Sequence, residues 1–199
     1  MNTEELAIYI MLALTSVVGL AVVFWRAWAL RWGRVAPRSI VEGIESCQSP
    51  DDIVKLCVLC ENRPSPLGRL LLFAVKHLEW PKAENVSSLE TAARQEVVRL
   101  ERGLVVLEII IGIAPLLGLV GTILGMMTVF NDIGEAGLNN ASKLAHGISV
   151  ILNATLIGLL IAIPALVAWG YFSKKVEVLA VEMEALCDEF IRRIYADRR

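Results

Sequence analysis

The chain has 199 residues, 56% of them hydrophobic, with a mean hydropathy of +0.60 and a formal net charge of −2. That composition excludes an ordinary soluble domain, while 20% charged residues leave enough polar chain for a substantial aqueous part. The net charge says little about partners; its placement says more.

Three uncharged stretches, 6–25, 109–130 and 147–172, each reach the roughly 20 apolar residues that a bilayer-spanning helix needs. The first has no basic n-region and is followed by Arg26, Trp28 and Arg31 rather than by small residues, so it reads as a retained anchor and not a cleaved signal. Trp25, Trp28 and Trp32 recur at helical spacing and suit either an interfacial aromatic belt or packing on an aqueous domain. Of the 19 Lys and Arg residues, 12 lie between Arg26 and Arg102, one is Lys143 and six follow from Lys174. The positive-inside rule therefore predicts a cytoplasmic first connection and C-terminus, with the N-terminus and the 131–146 loop outside.

The first connection reads as helices. Ser49-Pro50-Asp51-Asp52 is a helix start, with a cap, a proline in the first turn and acids at the positive dipole end. That helix is expected to run to about Glu61, where Arg63-Pro64-Ser65-Pro66 breaks it. A second runs from about Leu67 to Glu79 and stops at Trp80-Pro81. Asn85 to Ser88 offers caps for a third, which carries Glu90 and Arg94 at i,i+4 and continues without a breaker into the second span. A single helix from Ser88 to Phe130 would be about 60 Å long. After the third span, Val176, Leu179, Met183, Leu186, Phe190 and Ile194 recur at spacings of three and four. They predict an amphipathic helix that packs on its copy in a neighbouring subunit or on the helices of the first connection. The expected fold class is thus all-α: a polytopic membrane protein with three transmembrane helices, and long helices extending into a cytoplasmic helical domain. The expected parts are residues 1–32 (first span and Trp segment), 33–103 (cytoplasmic helical domain), 104–172 (second and third spans) and 173–199 (amphipathic helix).

No catalytic constellation, glycine-rich phosphate loop or basic aromatic surface for nucleic acid is visible, so the chain is read as a non-enzyme without a cofactor. Cys57 and Cys60 have the spacing of half a zinc site, but no second pair and no preceding strand accompany them. They are expected to be small buried residues, and no metal is assigned. His77 and His146 are isolated; His146, at the outer mouth of the third span, reads as a surface residue.

The polar residues inside the membrane are in the last two spans. Thr122 lies eight residues before Phe130 and Thr155 eight after Gly147, which predicts equal depth, about 12 Å below the outer ends. Gly118, Gly121 and Gly125 flank the first threonine; Thr155, Gly158, Ala162 and Ala165 form a small-residue stripe on the third span. Pro115 and Pro164 open the backbone ladder in their helices. These features fit a hydrated ion path or tight helix packing equally, the latter with each threonine bonding its own i−4 carbonyl. Glu108, at the cytoplasmic rim, is expected to pair with Arg102, Lys174 or Lys175. No charge sits at the membrane centre, so an ion transporter built from this chain needs a partner to supply a titratable carrier.

The paired pattern A-P-x-x-G-L-x-G-T at 114–122 and A-T-x-x-G-L-x-x-A-I-P-A at 154–165, in segments at 100–130 and 147–172, resembles the MotA/TolQ/ExbB proton-channel family, in its ExbB/TolQ-like branch. The resemblance implies a multi-pass protein of the bacterial inner membrane, with a periplasmic N-terminus, assembled as a homo-oligomer, a pentamer in that family. Its second and third spans would surround single-span helices of an ExbD/TolR-like partner carrying a membrane aspartate. It further implies that Thr122 and Thr155 face that aspartate; Asn153, where the family usually has a small or apolar residue, departs from the pattern as an uncharged polar group on the same path, and Pro115, Gly118, Gly121, Gly125, Gly158, Ala162 and Pro164 are read from the small-residue stripes and prolines as helix-packing residues. Force would pass to a TonB-like or TolA-like protein. The family often carries a glutamate where this chain has Val150, so a structural scaffold without conduction and a sodium-coupled stator remain alternatives.

Overall fold

A computed structural model of the chain describes residues 3–47, 49–136 and 141–196. Among these there are eight helices and no strand: α1 (Thr3–Ala29), α2 (Trp32–Val35), α3 (Arg38–Glu45), α4 (Pro50–Asn62), α5 (Pro66–Lys76), α6 (Lys82–Glu101), α7 (Leu104–Ala136) and α8 (Ala141–Ala196). Three helices carry segments long and apolar enough to cross a membrane, Leu6–Ala29, Leu104–Asn131 and Ile151–Ala196. The protein is thus an all-α polytopic membrane protein.

The chain divides into two compact units, Met1–Arg26 with Gly103–Tyr171, and Ala27–Arg102 with Phe172–Arg199. The first unit packs α1, α7 and the opening half of α8. Its outward surface is apolar, with Leu14, Phe24, Leu116, Ile123, Leu152 and Leu160 all exposed in the isolated chain. Such a surface suits lipid or neighbouring helices. Trp25, in the same unit, and Trp28, in the other, are both about half exposed, as an aromatic belt requires. Arg26 is instead buried at 3% exposure, and its Nε and Nη2 have no hydrogen-bond partner.

The second unit has a conventional core. Phe190, Met183 and Ile191 of α8 are fully buried, as are Ile40 and Ile44 of α3 and Leu67, Leu70 and Leu71 of α5. Of the two targets open to the amphipathic stretch, its own chain's helices receive it: Tyr195 donates to the Trp80 carbonyl at 3.0 Å, and Arg193 Nη1 donates to the Glu45 carbonyl at 2.6 Å. Across the unit, Arg69 grips Glu96 with two nitrogens at 3.0 and 2.5 Å, and Arg99 adds a third contact at 2.6 Å. Glu90 and Arg94 do not close the ion pair their spacing offers; they line a groove of about 740 Å³ opposite Glu184 and Asp188.

Helix starts follow the local chemistry. α4 begins at Pro50 with Asp51 and Asp52 in its first turn; Ser49 holds the N-cap position, but its hydroxyl donates to Asp52 Oδ2 at 2.8 Å and makes no cap bond, whereas the Ser65 hydroxyl caps α5 by accepting from the Gly68 N–H at 3.1 Å. Two expectations fail. α6 starts at Lys82 after Pro81, so Asn85 is no cap; it lies fully buried inside the helix and donates to the Ala74 carbonyl and the Tyr195 hydroxyl, each at 3.1 Å. Nor does α6 continue into the second span. Arg102 leaves the helix with an extended ψ of 132° and Gly103 takes φ +89°, a left-handed value that glycine tolerates and other residues resist. α7 then starts afresh at Leu104.

Cys60 is buried on α4 and its thiol is pushed up to about 11, mainly by burial, with Cys57 and Glu61 adding to the shift. Cys57, half-buried, is shifted upward for the same reason. Among the described residues no three His, Cys, Asp or Glu side chains converge.

Candidate functional site

The site lies where α7 crosses α8 inside the first unit, and glycines set how close the two backbones come. A methyl group built on Gly158 would stand 2.5 Å from the Ala114 carbonyl oxygen, and one on Gly118 would stand 2.9 Å from the Ala154 carbonyl oxygen and from the Thr155 Cα. Neither helix admits a side chain at these points, because what it would strike is backbone. Gly125 faces Ile151, and Gly121 faces both Ala154 and Ile8 of α1, which brings all three membrane helices to one place. Ala162 and Ala165 join Ile110 and Ala114 in a buried cluster at the other end of the contact.

This close approach lets the Thr155 hydroxyl cross to the neighbouring helix, where it donates to the Gly118 carbonyl oxygen at 3.2 Å. Thr122 behaves differently, donating to the Leu119 carbonyl of its own helix at 2.7 Å. Neither threonine bonds its own i−4 carbonyl. Thr155 lies level with Gly118, whereas Gly121 meets Ala154, so Thr122 falls nearer the level of Asn153, about 3–6 Å beyond Thr155. The equal depth expected for the threonines is therefore replaced by two steps, Thr155 with Gly118 and then Thr122 with Asn153.

A hydroxyl has one proton and two lone pairs. Both threonines commit the proton to a backbone carbonyl, and what each has left for a ligand is acceptor capacity. A protonated carboxyl brought here finds acceptors for its hydrogen, and a hard cation or a water finds oxygen ligands. Asn153, exposed on α8, adds an amide oxygen and two donors at the second step.

Other expected residues stand apart from this pair. Pro115 is half-buried inside α7, while Pro164 is exposed inside α8. Glu108 is exposed on the first turns of α7; the bases expected to pair with it, Arg102, Lys174 and Lys175, belong to the second unit. The side chains of His146 and Val150 lie outside the described residues. Sequence reasoning missed the Gly118 carbonyl as acceptor and Ala114 and Ala154 as the floor of the contact. Their signal was present, since each alanine directly precedes a residue singled out, Pro115 and Thr155.

Comparison with known proteins places this crossing in context. Residues 63–185, more than half of the chain, match the model of the MotA/TolQ/ExbB proton channel family. The chain belongs to that family. It is 34% identical over 165 residues to a putative biopolymer transport protein, ExbB-like 1, of Synechocystis, a match covering 79% of this chain and 63% of that protein. A biopolymer transport protein ExbB of Aquifex aeolicus is 32% identical over 54% of this chain and 70% of its own. The Tol-Pal system protein TolQ of Haemophilus influenzae is 25% identical over 92% of this chain and 88% of its own. The match to the ExbB of Helicobacter pylori, like that to the Synechocystis protein, spans less than two thirds of the relative, at 56%. The similarity supports the ExbB/TolQ-like branch.

Proposed function

We propose that this chain is the ExbB/TolQ-like subunit of an inner-membrane motor that couples ion flow to work on the envelope, and is not an enzyme. In this reading residues 104–172 form the channel core, residues 33–103 and 173–199 stand in the cytoplasm, and the N-terminus faces the periplasm. Subunits assemble as a pentamer around single-span helices of an ExbD/TolR-like partner, whose membrane aspartate supplies the carrier this chain lacks. A TonB-like or TolA-like protein receives the force.

The observation that carries the reading is the Thr155 hydroxyl bonded to the Gly118 carbonyl within the family's matched region. The Thr155 hydroxyl, which can turn between that carbonyl and a ligand, gives the partner's carboxyl a polar contact in either protonation state. Protonation of the partner's aspartate would neutralise a charge that is expensive in a low-dielectric pore and release it from the threonine level. That alternation is a means of turning one component against the other. Sodium is the second reading. With Val150 in place of the usual glutamate, the outer half of the path has Asn153, Ser149 and Thr122 as uncharged oxygen donors, which suit a hard cation as well as a water wire.

Thr155→Val keeps the side-chain shape and removes the hydroxyl, together with its bond to the Gly118 carbonyl, and so tests the proposal. Protein level and partner binding should hold while proton-driven flux, measured in proteoliposomes with the co-purified partner, falls on the order of tenfold or more. Thr122→Val should act in the same direction. Full flux from the double valine variant at normal protein levels would sink the pore assignment and leave a structural scaffold. Flux that follows a sodium gradient at constant pH would establish the second reading.

A further inference from the structure

The second unit contains a cavity of about 420 Å³ lined by Ala29, Gly33, Arg34, Pro37, Arg63 and Pro64. Its volume lies within the range of small-ligand sites, about 300 to 1,000 Å³. Two of its six lining residues are arginines and none is an acid, so the lining favours an anion. Arg34 and Arg63 are both exposed, and no carboxylate among the described residues pairs with either. The Arg34 guanidinium lies over the Trp28 ring with its Cζ 3.4 Å from the centroid. Stacking fixes the plane of the guanidinium and leaves its N–H edges available for two parallel hydrogen bonds. Pro37 and Pro64 give stiff backbone walls, and the Gly33 Cα faces open space, with nothing within 4 Å of a methyl built on it.

The position of the cavity indicates the source of the anion. Ala29 is the last residue of α1 and of the membrane-crossing segment Leu6–Ala29, and Trp28 beside it is 54% exposed, as an interfacial side chain would be. A charged ligand reaching this level meets the headgroup layer before it meets bulk solvent. We infer that Arg34 and Arg63 form a binding site for the phosphate group of an anionic phospholipid in the leaflet at the C-terminal end of α1. A planar guanidinium forked onto a phosphate is the strong form of that contact, and a second arginine from the turn before α5 would complete the clamp. The site is separate from the α7–α8 crossing and does not depend on the ion path being correct.

The test uses the full-length protein, purified in mild detergent and incubated with phosphatidylglycerol, phosphatidylcholine or glycerol phosphate, with bound adducts counted by native mass spectrometry. Wild type should retain phosphatidylglycerol in preference to phosphatidylcholine. Each arginine-to-glutamine change should weaken that retention by roughly tenfold, as expected for loss of a charge-assisted hydrogen bond. Arg34→Lys/Arg63→Lys, which keeps the charge and removes the fork, should fall between wild type and Arg34→Gln/Arg63→Gln. It also guards against misfolding in the glutamine pair. The charge-matched control Lys55→Gln/Lys82→Gln should bind as wild type does. Equal loss in that control, or equal retention of phosphatidylcholine, would overturn the site. Displacement of the lipid by an equal concentration of glycerol phosphate would make the ligand a soluble phosphate and overturn the lipid assignment.

Discussion

The two units of this chain are held together in opposite ways. In the second unit, large side chains such as Phe190, Leu71 and Met183 vanish from the surface, and buried polar groups such as the Asn85 amide nitrogen and the Glu96 carboxylate find partners. Water drives that burial, at roughly 1.5–3 kcal/mol for each such side chain. In the membrane unit many large side chains face outward, although Leu12 and Leu107 are buried, and the closest α7–α8 contact is made by residues with almost nothing to bury: Gly118, Gly158, Ala114 and Ala154. Lipid is as apolar as leucine, so helices there gain from close approach and from hydrogen bonds across the gap. Core volume therefore sets stability in one unit, and absence of volume sets it in the other.

That contrast can be broken first at its strongest point. Phe190→Ala should cost about 3–5 kcal/mol, visible as a large fall in the denaturant midpoint of the second unit. An unchanged midpoint would mean that the apolar face of α8 is not a core. The opposite change is harmful in the membrane unit: Gly158→Ala adds one methyl against the Ala114 carbonyl and should cost about 1–3 kcal/mol. Gly125→Ala should be milder, because its obstacle is the Ile151 side chain, which can turn. Thermal melts of the two variants in detergent compare them, and equal effects would refute the distinction between backbone and side-chain obstacles. Glu96→Gln keeps the shape and removes the charge between Arg69 and Arg99, so a loss of about 1–2 kcal/mol is expected, limited by the half-exposed arginines.

The smallest effect is a pH slope. Burial pushes the Cys60 thiol up to about 11 and Cys187 up to about 12, from an ordinary value of 9.0. Between those limits the unfolded chain has lost protons that the folded chain keeps, so stability should fall as pH rises above about 9. Replacing both cysteines with alanine should flatten that slope in denaturant titrations at pH 8 and pH 10. An identical slope in the variant would assign it to other groups.

Much of this was legible from residue order, because its causes are local. Span length needs only composition, and the start of α4 needs only Ser49, Pro50 and two acids in sequence. What could not be read depended on partners far along the chain. Asn85 resembles a cap in its own neighbourhood; its actual partner Tyr195 is 110 residues away. Gly103 looks like any tolerated glycine in a helical stretch, and only its left-handed φ shows that the helix ends there. The glycines and threonines of the candidate site were evident as a stripe. Their register was not, since span ends read from hydropathy carry an error of about a turn, the same size as the offset between Thr155 and Thr122.

The glycines also separate into two classes with different mutational fates. Every other residue carries a Cβ, so no replacement at Gly118 or Gly158 avoids the neighbouring backbone. Gly112 and Gly170 are the reverse: nothing in this chain lies within 4 Å of a methyl built on either, and substitutions there should be silent in an isolated subunit. A saturation scan in the living cell would therefore detect more than folding. Purifying selection at Gly112 or Gly170 would point to a second molecule pressed against that face, and would chart subunit and partner contacts from growth rates alone.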